Sequence, residues 1–347
     1  MESGATLNDL KVQVNNKQIL SIALPITLSI LIPQLNLLIN SIFLGKVSEE
    51  ALGNAGITGV FYLIFAVAGH GLNNAMQSVF SKNAGSGNPE NFKTILSQGI
   101  RISLQFAAVG ILFTWLIAPL IMKQVADAAF YPQEMSFLKI RIFGLPFLYL
   151  FQMGNAFLVA SLNSRYLMIA FIAEAVVNII FDYFLIFGHA GFPAMGFNGA
   201  AVASVIAECT GMLVVFGVLI ITQLKKKYGL LNTLKYNKQI SKQILQVSLP
   251  LVAQYVISVT TWLVFFLLLE GKGVNAKAIS NVMRNVFGIA GVFIWAFAST
   301  CNTMVSNLMG QKREDEIIYA ITRIMYWSIG FCAVPVLILN IFPEIFF

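Results

Sequence analysis

Apolar residues come along this chain in nine long runs, at 19–43, 55–79, 98–121, 138–161, 166–188, 199–222, 244–269, 279–307 and 317–343. Each reaches about 20 residues or more, the length an α-helix needs to cross the hydrocarbon of a bilayer. The short alternating segments of a transmembrane barrel are not what the pattern shows. Helices close their backbone hydrogen bonds within one segment and so can stand in lipid. The pattern predicts an all-α, polytopic integral membrane protein with nine helices present. Turn residues fill the breaks: Gly45, Gly85-Ser86-Gly87-Asn88-Pro89, Asn163-Ser164, the stretch from Gly188 to Gly199, and Gly271 to Gly273.

Composition agrees. Of 347 residues 58% are hydrophobic and only 11% charged, with mean hydropathy +0.79, where a soluble domain carries about 25% charged residues. The net charge of +7 comes from Lys and Arg beside the runs and is not a nucleic-acid footprint. Fifteen of these residues flank one side and six, Arg141 among them, the other. The richer side is expected to be cytoplasmic, with the N-terminus. Residues 1–18 are polar and the first run is too long for a signal-peptide core, so no cleavable leader is expected. Cys209, Cys301 and Cys332 all fall in apolar runs and read as small buried hydrophobes.

The chain repeats itself. Lys17-Gln18-Ile19-Leu20-Ser21-Ile22-Ala23-Leu24-Pro25 and Lys242-Gln243-Ile244-Leu245-Gln246-Val247-Ser248-Leu249-Pro250 match at six of nine positions, 225 residues apart. The same offset pairs Ala51 with Ala276, Ser81 with Ser306 and Gly85 with Gly310. The unit is six spans, an even number, so both copies have one orientation and a pseudo-two-fold axis lies along the membrane normal. This predicts a six-helix lobe at 1–222, a cytoplasmic linker at 223–243, and the first three helices of a second six-helix lobe at 244–347. On this reading the chain is incomplete at its C-terminal end.

Acids inside spans are costly and mark function. Glu174, Asn178 and Asp182 follow at i, i+4 and i+8, one helix face. Ser204 and Glu208 share a face of the sixth span, and Asn36 and Asn40 a face of the first. A cluster of Asn40, Asn178, Asp182 and Ser204 offers the hard oxygens that sodium prefers, or a carboxylate that takes a proton. The alternative is that these groups are polar glue between helices. His70, Asn74 and Gln77 share a face of the second span, as packing residues or as the lining of a path, and Asn36 and Glu208 are further candidates for a polar face. Pro25, Pro33 and Pro250 loosen the first and seventh spans. The Lys225–Lys242 stretch reads as an anchor at anionic lipid and a hinge. No catalytic motif and no phosphate loop is present. An intramembrane enzyme using Glu174 and Asp182 is disfavoured, because they stand about 12 Å apart along the helix.

Leu24-Pro25, Phe43-Leu44-Gly45, Gly85-Ser86-Gly87-Asn88, Asn178-Ile179-Ile180-Phe181-Asp182, the Leu249-Pro250 repeat and Gly310 together resemble the MATE family, the multidrug and toxic compound extrusion transporters. The resemblance runs from about Lys17 to Phe347. It implies two six-helix lobes in a V, with export of cationic or amphipathic small molecules between them by antiport with sodium or protons. It implies no enzyme activity and no cofactor beyond the coupling ion, a multi-pass plasma-membrane location, lipid as neighbour and no nucleic-acid partner. The family's N-lobe cation site falls on Asn178, Asp182 and Ser204. Its helix-1 aspartate falls at Asn40, which removes a charge that Glu174 is placed to supply. Its helix-7 acid falls at Ser258. Two other readings are a lipid or polysaccharide flippase of the same superfamily and a non-transporting truncated remnant.

Overall fold

The computed structural model describes residues 10–125, 129–232, 235–270 and 274–341. The helices are α1 (Asn16–Val47), α2 (Glu49–Gly85), α3 (Phe92–Leu116), α4 (Ala118–Val125), α5 (Tyr131–Arg141), α6 (Leu145–Ala160), α7 (Leu167–Phe187), α8 (Phe197–Ile221), α9 (Leu224–Lys227), α10 (Lys238–Glu270), α11 (Val274–Gln311) and α12 (Ile317–Ile341). Among the described residues there is no strand. Eight helical segments are long and apolar enough to span a membrane, with α5 and α6 counting as one from Tyr131 to Ala160. The remaining expected run, 279–307, lies within the 38-residue α11. Residues 1–9 of the first lobe, Lys272 and the end of the last expected run lie outside the described residues.

The ends of these helices follow from local chemistry. The Asn15 side chain caps α1 by accepting from the Gln18 amide at 2.8 Å, and Ser48 caps α2 through Ala51 at 3.0 Å. Gly188 ends α7 in the left-handed region at φ 76°, and its amide and that of His189 both return to the Phe184 carbonyl. The expected break between the third and fourth spans is largely helical instead. Helix α5 opens on a proline, carries Glu134 in its first turn and Lys139 and Arg141 in its last, an order that complements the helix dipole. This polar helix is invisible to an apolar-run criterion.

Helix α2 is the hub: it packs on α6 within the first six spans and on α10 and α11 beyond them, while α1 packs on α7 and α11. Its glycines show which way the halves meet. A Cβ on Gly53, Gly56 or Gly59 would meet nothing, whereas one on Gly71 would stand 2.8 Å from the Val252 backbone. The closest approach is at the Gly85 end. There a Cβ on Gly85 would lie 2.0 Å from the Asn307 carbonyl oxygen, and one on Gly310 would lie 2.1 Å from that of Lys82. The pairs Gly85/Gly310 and Lys82/Asn307 are each 225 residues apart, so the two contacts exchange under the repeat, as contacts across a two-fold must.

Side chains obey the same exchange. Gln77 Nε2 donates to the Ser299 carbonyl at 2.8 Å, and Asn302 Nδ2 to the Asn74 carbonyl at 2.9 Å. Ser241 donates to Gln98 Oε1 at 3.0 Å, and Arg323 to Asn16 Oδ1 at 3.1 Å. Each bond maps onto its partner at the 225-residue offset. Only glycine allows the crossing, so Gly85→Val or Gly310→Val is expected to force the halves apart at this end. A fluorophore pair across α2 and α11 would then read a larger separation, and an unchanged one would contradict the close contact.

The stretch before α1 joins this crossing as an extended strap. Asn307 donates to the Leu10 carbonyl at 2.9 Å and accepts from the Val12 amide at 3.1 Å, while Gln311 donates to the Val12 carbonyl at 3.0 Å. Leu10 and Val12 are buried. At about 1 kcal/mol per bond, Asn307→Ala is expected to release the strap, seen as faster proteolysis near Lys11.

Candidate functional site

The core of the site is built by α1 and α7, which lie side by side and, as the first and fifth spans, run in the same direction. Asn36 Nδ2 donates to Asn178 Oδ1 at 2.7 Å. One turn further along both helices come Asn40 and Asp182, so these two are level with each other by helical geometry. Asp182 is fully buried, and neither of its carboxylate oxygens has a hydrogen-bond partner; the same is true of Asn36 Oδ1, Asn40 Oδ1 and Asn178 Nδ2. Nearly all buried polar atoms in proteins are paired, and a bare buried carboxylate is among the most expensive groups to leave so. Four unpartnered oxygens on two adjacent faces fit the donor chemistry of a hard monovalent cation, and a proton on Asp182 removes the same charge.

The remaining expected residues distribute unevenly around this core. Ser204 is half-buried on α8, and among the described residues no hydrogen bond joins it to Asp182 or Asn178. Glu174 directs Oε2 toward α8, 2.9 Å from where a Gly211 Cβ would stand, rather than toward α1. It makes no hydrogen bond or ion pair among the described residues.

Glu208 is buried and fully engaged. It takes both Arg141 guanidinium nitrogens, at 2.7 Å and 2.6 Å, and accepts from the Tyr62 hydroxyl at 2.9 Å. Arg141 also lies over the Tyr62 ring, 3.8 Å from its centroid. This corrects the sequence expectation for Arg141, counted among the residues flanking one side of the membrane. The last turn of α5 carries its side chain inward, to an acid 67 residues away that a linear reading does not connect. The helical span begins at Tyr131 rather than at 138, which puts Arg141 ten residues (141 − 131) from that end, level with Glu208, eleven residues (208 − 197) from Phe197.

The polar face of α2 divides. Gln77 and Asn74 serve the crossing between the halves: Gln77 Nε2 also donates to Thr303 at 2.5 Å, and Asn74 to Tyr255 at 2.6 Å. His70 is exposed in the middle of α2, with Gln152 Nε2 3.4 Å from its Nδ1, and so keeps access to the space beside α2.

A polytopic helical bundle whose halves cross through repeat-related contacts, with an unpaired carboxylate buried near one end of its fifth span, fits the general plan of a membrane transporter. The MatE family model matches residues 25–184. The probable multidrug resistance protein NorM of Synechocystis sp. is 23% identical over 307 residues, covering 88% of this chain and 66% of its own length. The protein of the same name in Listeria monocytogenes is 25% identical, with 86% and 66% covered. The chain thus spans about two thirds of the length of these relatives. A multidrug resistance MATE transporter of the MOP superfamily, solved outward-facing, superposes with TM-score 0.84 at 15% identity, covering 99% of this chain and 74% of that one. A MOP superfamily transporter from Pyrococcus furiosus, whose binding pocket is described as of reverse polarity, gives TM-score 0.83 at 16% identity, with 100% and 75% covered. The chain is thus similar to MATE family transporters, in sequence over residues 25–184 and in fold over nearly its whole length.

Proposed function

We propose that this protein exports cationic or amphipathic small molecules by antiport, with the cation-coupling site at Asp182. The observation that carries the reading is the bare, fully buried Asp182 carboxylate beside the unpartnered oxygens of Asn36 and Asn40. The site answers the missing helix-1 acid with two amide oxygens in place of a second charge. A lone carboxylate is neutralised by one monovalent cation, sodium or a proton. Binding there removes a buried charge that a cation-free state must otherwise hydrate, so the two conformations differ in cation affinity. Such a difference is what lets a gradient shift their populations.

On this reading the crossing at the Gly85 end of α2, on the side that carries the Lys225–Lys227 cluster, faces the cytoplasm together with the N-terminus, and the lobes part toward the outside. Residues 1–222 and 244–347 are the lobes on this reading, and 223–243 the linker between them. The fully engaged Glu208 and the cross-lobe bonds of Asn74 and Gln77 leave His70 as the polar residue of this set with access to the cleft.

The test is ethidium efflux from proteoliposomes under an inward sodium gradient or an inward proton gradient, each imposed alone. The reading predicts efflux driven by one of the two. Efflux indifferent to both would contradict it.

A further inference from the structure

The strap before α1 is fastened at both ends, and its two ends belong to different halves of the chain. On the α1 side the Gln13 amide donates to Gln18 Oε1 at 2.8 Å, and the Asn15 side chain accepts from the Gln18 amide at 2.8 Å. The strap therefore moves with the first turn of α1. On the α11 side Asn307 grips it twice, donating to the Leu10 carbonyl at 2.9 Å and accepting from the Val12 amide at 3.1 Å. Gln311 adds a third bond, to the Val12 carbonyl at 3.0 Å, and braces the grip by donating to Asn307 Oδ1 at 2.8 Å.

Asn307 is the residue on which the crossing turns. Its backbone carbonyl is the atom that a Cβ on Gly85 would strike, and its side chain holds the strap. Asn307 and Val12 are both wholly buried, so these bonds are shielded from competing water. The halves cannot part at this end while the three strap bonds stand.

The grip has no counterpart in the other repeat. At the 225-residue offset Leu10 and Val12 correspond to Lys235 and Asn237, and Asn307 and Gln311 to Lys82 and Ser86. The Lys235 carbonyl accepts from Gln98 on α3 instead, at 2.9 Å, and the Ser86 hydroxyl donates to the Asn83 carbonyl. Among the described residues no hydrogen bond joins Lys82 or Ser86 to the 235–237 stretch. The bonds that obey the repeat account for the crossing itself. The strap is an addition to one side of it.

We propose that residues 10–14 are a latch: held by Asn307 and Gln311, the strap stabilises the conformation closed at the Gly85 end, and it must let go of α11 each time the halves part there. Closing that end is a matter of population between two states, and groups that pair in only one of them set the balance. The inference rests on the transport reading above for the need to open, and not on Asp182 or the coupling ion.

The experiment is a spin-label distance measurement across this end, between Glu90→Cys and Asp315→Cys, both exposed and 225 residues apart. It is made on the full chain in nanodiscs, with Cys209, Cys301 and Cys332 exchanged for alanine. The ratio of separated to closed populations is expected to rise about ten-fold in Asn307→Leu, which loses two strap bonds, and about five-fold in Gln311→Met, which loses one. A ratio unchanged in both overturns the proposal. A lower unfolding temperature with unchanged distances overturns it too, since that is the mark of a contact that only holds the fold. Should Asn307→Leu not fold, Gln311→Met, half-buried at the end of α11, carries the test alone. If the ratio shifts while ethidium efflux ignores both gradients, the coupling reading falls and the latch stands. If efflux is driven and the ratio does not shift, the latch falls and the coupling reading stands.

Discussion

Asp182→Asn is expected to abolish gradient-driven efflux while leaving a protein that inserts, purifies and unfolds at the same temperature as wild type or higher. The two halves of this result have one cause. The carboxylate is fully buried and its oxygens have no partner, so in the cation-free state it costs the fold several kcal/mol, by the general penalty for an uncompensated buried charge. The amide is nearly isosteric, removes that charge, and gives Asn40 Oδ1 a donor across the α1–α7 seam. Stability is gained where the cation was held, the trade-off expected of a functional site. Asn36→Ala and Asn40→Ala are expected to weaken cation dependence without abolishing it, since each removes a neutral oxygen. A variant at Asp182 that retained coupled efflux would place the site elsewhere.

Glu208→Ala is expected to be the most destabilising single substitution in the first six spans. It strands the Arg141 guanidinium beneath Tyr62, 14% exposed, with no acceptor in place of two bonds at 2.6 Å and 2.7 Å. Breaking a buried pair by removing one partner costs roughly 3–5 kcal/mol. Arg141→Met/Glu208→Leu is expected to recover most of that loss, because apolar residues of similar volume often replace such pairs at little cost. Thermal unfolding of the purified variants checks both. Equal midpoints for Glu208→Ala and the apolar double variant would show that the pair is not the buried unit described.

The account rests on features of unequal visibility in the chain. Spans and repeat were legible, because a bilayer imposes length and hydropathy on each helix alone and because the Lys17–Pro25 block returns nearly intact. Ser81/Ser306 and Gly85/Gly310 were legible as an offset; that the Gly85/Gly310 pair lies at the crossing of α2 and α11 was not, since that is a property of two helices together. The face shared by Asn178 and Asp182 was legible from spacing, and so was the face shared by Asn36 and Asn40. The bond that sets their register, Asn36 to Asn178, joins residues 142 apart and needed the packing of α1 on α7. Arg141 was read as flanking because the apolar run begins only at 138, three residues before it, whereas the helical span begins at Tyr131. The strap before α1 was missed because Leu10, Val12 and Val14 alternate with polar residues in a stretch too short to stand out, yet two of the three are buried.

Cation uptake by the purified protein tests the central claim most directly. Calorimetric titration with sodium, in two buffers of different ionisation enthalpy, counts both the sodium bound and the protons taken up or released. The account predicts that wild type takes up one monovalent cation at this site, sodium or a proton, and that Asp182→Asn loses it. Equal uptake by wild type and Asp182→Asn would contradict it.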